Sequence, residues 1–394
     1  MTKANVGYVD DFSHGVLPTP PGKIAVLHAK ALGDLLVILP ALGAIKETYP
    51  DAELILLAKP WVKEFLSARP SAVDRVIDVP AFPGVNDDDA VATKGRVGWI
   101  DAADDSPAIQ QFYKAMRTEK FAVIIHLQGD GKAVNPFINR LGAGLTVGLR
   151  NEGAEPIDRF IPYVHYQSEI LRNLEVVALV GACTTRLEPH VEVTKIDEQE
   201  TAPIRETIKG KPYVIVHAGA DDVRRVWPAS KFAKVADGLI DKGYQVVLTG
   251  TPKEQEIVTT VMRAMDRAAI PCTSLGLGGL AALLGKSSLV ISNDTGPLHL
   301  ARAVGAPTIG IFWAPNVLNW GPLTRNRHRL AISWRLECPH CGITPVSPWP
   351  FQPMTEHCDH ACSFVESVSV EEVCNFAAEL LLPEQPTAPS RQSR

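Results

Sequence analysis

Beginning at Lys23, short β-branched and apolar runs alternate with longer segments of helical periodicity, and no other feature restricts the possible folds as much. Ile24-Ala25-Val26-Leu27-His28 is followed by a helical pattern over 33–48, and further strand-like runs lie at 53–58, 75–79, 121–126 and 145–149. Runs that are apolar on both faces, separated by helix-length segments, predict parallel strands joined by helical crossovers. A helical pattern over 168–180 closes this half, and the polar segment 194–211 reads as a junction. The alternation then restarts, with strands expected at 213–216, 244–248, 289–291 and 308–312 and helices at 229–242, 253–267 and 296–304. Two α/β units are therefore expected, over 23–193 and 194–335, preceded by a flexible N-terminus at 1–22. A Cys-rich segment and C-terminal helix follow at 336–382, then a disordered tail at 383–394. Ser369-Val370-Glu371-Glu372 has the form of a capping box for that helix.

Composition narrows the function. A net charge of −5 lacks the concentrated basic surface of a nucleic-acid binder. The first twenty-two residues have no apolar segment of the secretory kind, and the near-apolar stretch 35–45 is too short to cross a bilayer. Seven cysteines, an odd number, suit a reducing cytoplasm better than a disulfide framework.

The motif with most chemical content is Ser292-Asn293-Asp294-Thr295-Gly296-Pro297-Leu298-His299, in which a strand ends in a small polar turn and a helix begins. First-turn N–H groups lack intrahelical partners, and the helix dipole favours negative charge there, so the turn suits a diphosphate. Gly296 permits close approach, Thr295 offers a hydroxyl, and Pro297 fits a first helical position. An ordinary N-cap on Asp294 or Thr295 is the competing reading.

Other runs complete a set with this one. They are Lys30-Ala31-Leu32-Gly33-Asp34, Leu127-Gln128-Gly129, His217-Ala218-Gly219-Ala220 through Trp227-Pro228, Thr249-Gly250 with Glu254, and the capping box at 369–372. In this order and spacing, the chain from Lys23 to Leu382 resembles the ADP-heptose:lipopolysaccharide heptosyltransferases of glycosyltransferase family 9. The resemblance implies a GT-B fold, in which two Rossmann-like doubly wound domains face each other across a cleft, the first for the acceptor and the second for the nucleotide sugar. It implies inverting transfer with Asp34 as general base, although Asp34 also suits a helix cap, and a carboxylate can do both. It assigns donor contacts to Arg225, with Arg224 competing, and to Glu254, Asp294, Thr295, Gly296 and His299. His299 equally fits a packed core position, Glu254 an exposed helix start, and Lys30 either an acceptor contact or solvent. The implied partners are ADP-heptose and a lipid-linked glycan acceptor, met by a cytoplasmic enzyme at the inner face of the cytoplasmic membrane, with no cofactor required for catalysis.

Two features keep other substrates open. The stretch 84–107 carries six aspartates against Lys94 and Arg96, which would repel an anionic lipid acceptor, and His126 stands where relatives usually place an acidic residue. Another nucleotide sugar or acceptor, or a non-catalytic relative acting as a binding module, remain the alternatives. The Asp87-Asp88-Asp89 triplet reads as solvated rather than as a metal-binding DxD. Gly276-Leu277-Gly278-Gly279-Leu280-Ala281 matches a dinucleotide fingerprint, but it is out of place there, because that motif belongs in the first βα turn of a domain. Cys338, Cys341, Cys358 and Cys362 form a CxxC and CxxxC pair, read either as a structural zinc site or as reduced thiols packing a loop.

Overall fold

A computed structural model of the protein describes residues 15–67, 69–86, 106–346 and 358–382. The aspartates at 87–105, the tail from 383 and the first fourteen residues lie outside them. Part of the expected flexible N-terminus is held: the Gly15 carbonyl accepts from Arg159 and the Leu17 N–H donates to the Tyr49 hydroxyl.

The first sheet contains β1 (Lys23–Leu27), β2 (Glu53–Ala58), β3 (Arg75–Asp78), β4 (Val123–His126), β5 (Leu145–Leu149) and β6 (Arg159–Ile161). The second contains β7 (Tyr213–His217), β8 (Gln245–Thr249), β9 (Ile270–Cys272), β10 (Leu289–Asn293), β11 (Thr308–Trp313) and β12 (His328–Ser333). The first runs β3-β2-β1-β4-β5-β6 and the second β12-β11-β10-β7-β8-β9, every pairing parallel. Counted within each sheet, both have the doubly wound order 3-2-1-4-5-6. The expected runs form the central strands and the edge strand β3. Three short or edge strands go beyond the expectation, among them β9, where Pro271 is tolerated because it lies on an edge.

Burial follows the apolar pattern. One cluster, including Leu57, Phe82, Tyr113 and Phe137, fills one face of the first sheet. A second, including Trp227, Phe232, Phe364 and Val365, fills the outer face of the second sheet. The third runs without a break from Leu36, Leu54 and Val176 of the first half to Ile215, Val290 and Leu300 of the second, so the two units share a core. Ser369 Oγ accepts the Glu372 N–H, which makes the serine side of the expected capping box.

The junction is anchored on both sides. Arg69, at the end of the helix Pro60–Ser67, makes a buried two-point ion pair with Asp197 of the helix Lys195–Glu200, at 3.0 and 3.1 Å. Three residues on, Glu200 accepts the Gly276 and Gly279 N–H groups at 2.5 and 3.0 Å, and a Cβ on Gly278 would overlap Asp197. The fingerprint-like glycines thus admit a neighbouring helix and a carboxylate of the chain itself at the start of the helix Leu277–Gly285.

Replacing Arg69 with Met would leave Asp197 buried without its counter-charge. The expected cost is about 3–5 kcal/mol, measurable as a lowered urea midpoint, whereas Arg69→Met combined with Asp197→Asn should recover a large part of the loss.

Candidate active site

In a sheet of this order, the crevice lies at the carboxyl ends of the two strands where the winding reverses, here β1 with β4 and β7 with β10. The motifs singled out from the sequence stand there: Lys30 and Asp34 after β1, Gln128 after β4, His217 to Ala220 at β7, and the run 292–299 at β10.

On the first unit, Gln128 braces the loop after β1. Its Oε1 accepts the Ala29 N–H at 2.7 Å and its Nε2 donates to the Val85 carbonyl at 2.9 Å. His126 is fully buried, with Nδ1 against the Gln128 carbonyl at 3.0 Å and Nε2 accepting the Leu149 N–H at 2.9 Å. Burial holds it neutral, its pKa lowered to about 4, so it acts as an internal strut rather than a group of the crevice.

The helix Leu32–Thr48 begins without a side-chain cap on Ala31, and Asp34 lies in its first turn, half-buried. Its carboxylate accepts backbone N–H groups of Ala31 and of Asp34 itself, so it does serve the helix start. Desolvation, helped by the nearby charge of Glu169 and opposed by Lys30, raises its pKa to about 6. A carboxyl poised there is ionised at neutral pH yet more basic than a solvated one, which suits a proton acceptor.

On the second unit, the first half of the run 292–299 faces inward. Asn293 Oδ1 accepts the Trp227 N–H at 3.1 Å and Nδ2 donates to the Ala218 carbonyl at 2.8 Å, tying the end of β10 to the segment after β7. Asp294 is 1% exposed, and its carboxylate is shared between Asn316 Nδ2 at 2.8 Å and His299 Nε2 at 3.3 Å. The Arg302 guanidinium, which can only donate, lies 3.3 Å from His299 Nδ1. The ring is therefore the Nε2–H tautomer, donating to Asp294, and burial lowers its pKa. Arg302 is held from behind by Glu188 at 3.0 Å. Thr295 makes no side-chain cap on the helix Gly296–Ala303 and, with Gly296, stays half-buried at the crevice.

Two arginines compete in the sequence, and their geometry separates them. Arg224 is clamped onto Asp222 through Nε and Nη2, at 2.9 and 2.6 Å. Arg225 reaches across to the Asp294 carbonyl at 3.0 Å, and among the described residues no acceptor meets its buried Nε. Glu254 accepts the Thr251 N–H at 2.7 Å, and its other oxygen stands 3.7 Å from His217 Nε2, at the ends of β7 and β8.

The two units meet at their helix starts. A Cβ on Gly33 would stand 3.2 Å from His299 Cδ2, and one on Gly296 would stand 3.2 Å from Leu32 Cβ. Asp34 and Lys30 are thus brought to the same crevice as Thr295, Gly296 and Arg225, whereas Asp294 and His299 lie behind it with their polar atoms partnered inside the protein. Asn316, Arg302, Glu188 and Glu169 escape sequence reading; each lies outside the motifs, and only its tertiary placement brings it to the site.

Away from the crevice, Cys338, Cys341, Cys358 and His360 bring one ligand atom each within 4.8 Å of one another, a group that could hold a metal ion. Cys362 stands 3.9 Å from Cys338. All seven cysteines are unbridged.

Comparison with known proteins agrees with this geometry. The chain is 24% identical over 378 residues to lipopolysaccharide heptosyltransferase 3 of Escherichia coli K12, covering 92% of this chain and 98% of the relative. It is 24% identical over 298 residues to heptosyltransferase 2 of the same strain, covering 74% and 82%. Among solved structures it superposes on a family 9 glycosyl transferase from Veillonella parvula with a TM-score of 0.70 at 20% identity, covering 92% and 97% of the two chains. An E. coli ADP-heptose heptosyltransferase II gives 0.66 at 17% identity, covering 91% and 98%. These structural likenesses establish the two-domain GT-B fold. The family model described as glycosyltransferase family 9 (heptosyltransferase) matches residues 109–342, more than half of the sequence, and the chain accordingly belongs to that family of glycosyltransferases.

Proposed function

We propose that the protein transfers a heptose from ADP-heptose to a lipopolysaccharide core acceptor, with inversion at the transferred carbon, and that residues 23–193 receive the acceptor while 194–335 hold the donor. The observation that carries this reading is the meeting of the two winding-reversal points, which sets Asp34 opposite the Arg225, Thr295 and Gly296 cluster. It is supported by the names of the relatives and by an E. coli heptosyltransferase solved with ADP-2-deoxy-2-fluoro heptose, which shares the fold with a TM-score of 0.60.

Asp34 takes the proton of the acceptor hydroxyl as that oxygen bonds to the sugar carbon. The bond from that carbon to the diphosphate oxygen breaks, and the departing ADP keeps the electron pair. Arg225 and the uncapped start of the helix Gly296–Ala303 supply the compensating positive charge, with Thr295 as a further donor. Glu254, at the end of β8, is read as the partner of a ribose hydroxyl and Lys30 as an acceptor contact. Asp294 and His299 act one layer back, holding Arg225 and the helix start in place. With this positive charge in the crevice, the transfer needs no metal. The cysteine group is read as a structural metal site rather than part of the transfer chemistry. No helix among the described residues is long and apolar enough to cross a membrane, and a lipid-linked acceptor would bring the enzyme into transient contact with the inner membrane surface.

Given ADP-heptose and a core acceptor, the purified protein should release ADP; turnover with a different nucleotide sugar and none with ADP-heptose would overturn the donor assignment. Asp34→Asn should still bind ADP while kcat falls by about 10²–10⁴. In the parent enzyme, kcat/KM should rise with pH and level off above about 6, because Asp34 acts only when ionised. The same shift has a sign for stability. Above about 6 the carboxylate is charged in both the folded and unfolded chain, and its desolvation weakens the fold; below the ordinary carboxylate range it is neutral in both, and the penalty vanishes. Asp34→Asn should therefore melt higher than the parent at pH 7.5 and converge with it near pH 4 in a thermal scan. Arg225→Met should weaken ADP binding about 10- to 100-fold, the worth of a lost charge-assisted hydrogen bond. Arg224→Met, which removes a side chain bound to Asp222, should change it much less by calorimetry.

A further inference from the structure

The cysteine segment does more than close on itself. Its two arms, 334–346 and 358–368, contain neither helix nor strand among the described residues, yet they converge on Cys338, Cys341, Cys358 and His360. The Sγ atoms of Cys341 and Cys358 are 3.7 Å apart, while Cys362, outside this group of four, lies 3.9 Å from Cys338. The edge of a thiolate tetrahedron about a zinc ion is about 3.8 Å, given zinc–sulfur bonds of about 2.3 Å. His360 Nδ1 lies 3.6 Å from Cys358 Sγ, and the turn at Cys338 is closed by the Gly342 N–H on the Cys338 carbonyl at 2.9 Å. Thiolate-rich tetrahedral sets select zinc or iron over hard cations.

Immediately after this group, the chain grips the loop that presents Arg225. Phe364 donates its N–H to the Arg224 carbonyl at 2.9 Å, and Ser363 Oγ donates to the Val226 carbonyl at 2.6 Å. Phe364 is fully buried, 4.7 Å from the Trp313 ring, and Trp313 Nε1 returns to the Arg335 carbonyl at 2.7 Å, three residues before Cys338. The loop 222–226 is thus held at Arg224 and Val226 by the segment that directly follows Cys362, while Arg335, on the other side of the cluster, fixes the Trp313 ring on which Phe364 packs.

We propose that Cys338, Cys341, Cys358 and His360 hold one thiophilic metal ion, zinc or iron, and that this ion locks the donor-side loop Asp222–Val226 through Ser363 and Phe364. The three thiols give up their protons on binding, and the ion neither changes oxidation state nor meets substrate. The cysteines, His360 and Ser363 are positioning residues. Only the link to donor affinity rests on the reading of Arg225 as a diphosphate contact.

Elemental analysis of protein purified under reducing conditions, without chelator or metal-affinity resin, should find close to one ion per chain and identify it as zinc or iron. Cys341→Ser should lose the ion and Cys183→Ser, an exposed cysteine elsewhere, should keep it. Hydrogen exchange followed by mass spectrometry reads the loop without any ligand: amides across 222–226 should exchange about tenfold faster or more after chelation of the folded protein. ADP binding should weaken by about tenfold. Ser363→Ala should keep the ion but loosen the loop, which tests the path even if Cys341→Ser fails to fold. Failure to take up zinc or iron on titration would overturn the site, and unchanged loop exchange after metal removal would overturn the lock. A metal-loaded chain with a protected loop that binds no ADP would leave the lock standing and overturn the donor reading.

Discussion

A carboxylate removed from water must find donors, and Asp294 is such a group, placed at the point where β10 turns into a helix. Its oxygens draw in Asn316 and His299, and the ring of His299 is turned to present Nε2–H only because Arg302 lies behind it, itself held by Glu188. The carbonyl of the same residue receives Arg225. One buried charge thereby sets the direction of a helix start, the tautomer of a histidine and the reach of an arginine from another segment. Removing any single partner would leave a charged or polar atom unmatched in a dry environment, which is why the arrangement has few alternatives.

Asp34 is the counter-example on the opposite unit. It is also withdrawn from water, but its compensation is partial: two backbone N–H groups and a lysine at a distance, set against the charge of Glu169. The imbalance raises its proton affinity, whereas Asp294 has close donors on both oxygens and serves as a fixed support. Two aspartates just beyond central strands thus acquire different characters from their surroundings, and only Asp34 keeps the raised proton affinity that the proposed base requires.

Much of this was legible before any coordinates. The central parallel strands follow from apolar runs buried on both faces, and the repeated order of the sheets places the motifs at their carboxyl ends without further information. What escaped reading has specific causes. β9 contains Pro271, which argues against a strand unless its edge position is known. The glycines at 276–279 match a dinucleotide fingerprint already out of place in the sequence; what the sequence does not show is that Glu200 occupies that helix start. Arg224 and Arg225 are equivalent as letters; Asp222 distinguishes them by engaging one and leaving the other. His126 reads as a departure from the family's acidic residue, yet it bonds internally on both nitrogens and says nothing about the acceptor. Asn316 leaves no trace in the sequence, because an amide in the first turn of the helix Ala314–Trp320 carries no local pattern.

The helix Lys195–Glu200 is gripped from one side by Arg69 and from the other by the glycine-rich start of the helix Leu277–Gly285. Breaking the buried ion pair would cost about 3–5 kcal/mol, several times the thermal energy, so at equilibrium the two units are seldom parted there. Nearer the crevice the two units are joined a second time, by the ion pair of Glu188 with Arg302 behind His299. The two units are therefore pinned both at the junction and behind the crevice, and neither can shift far against the other without separating a pair of opposite charges.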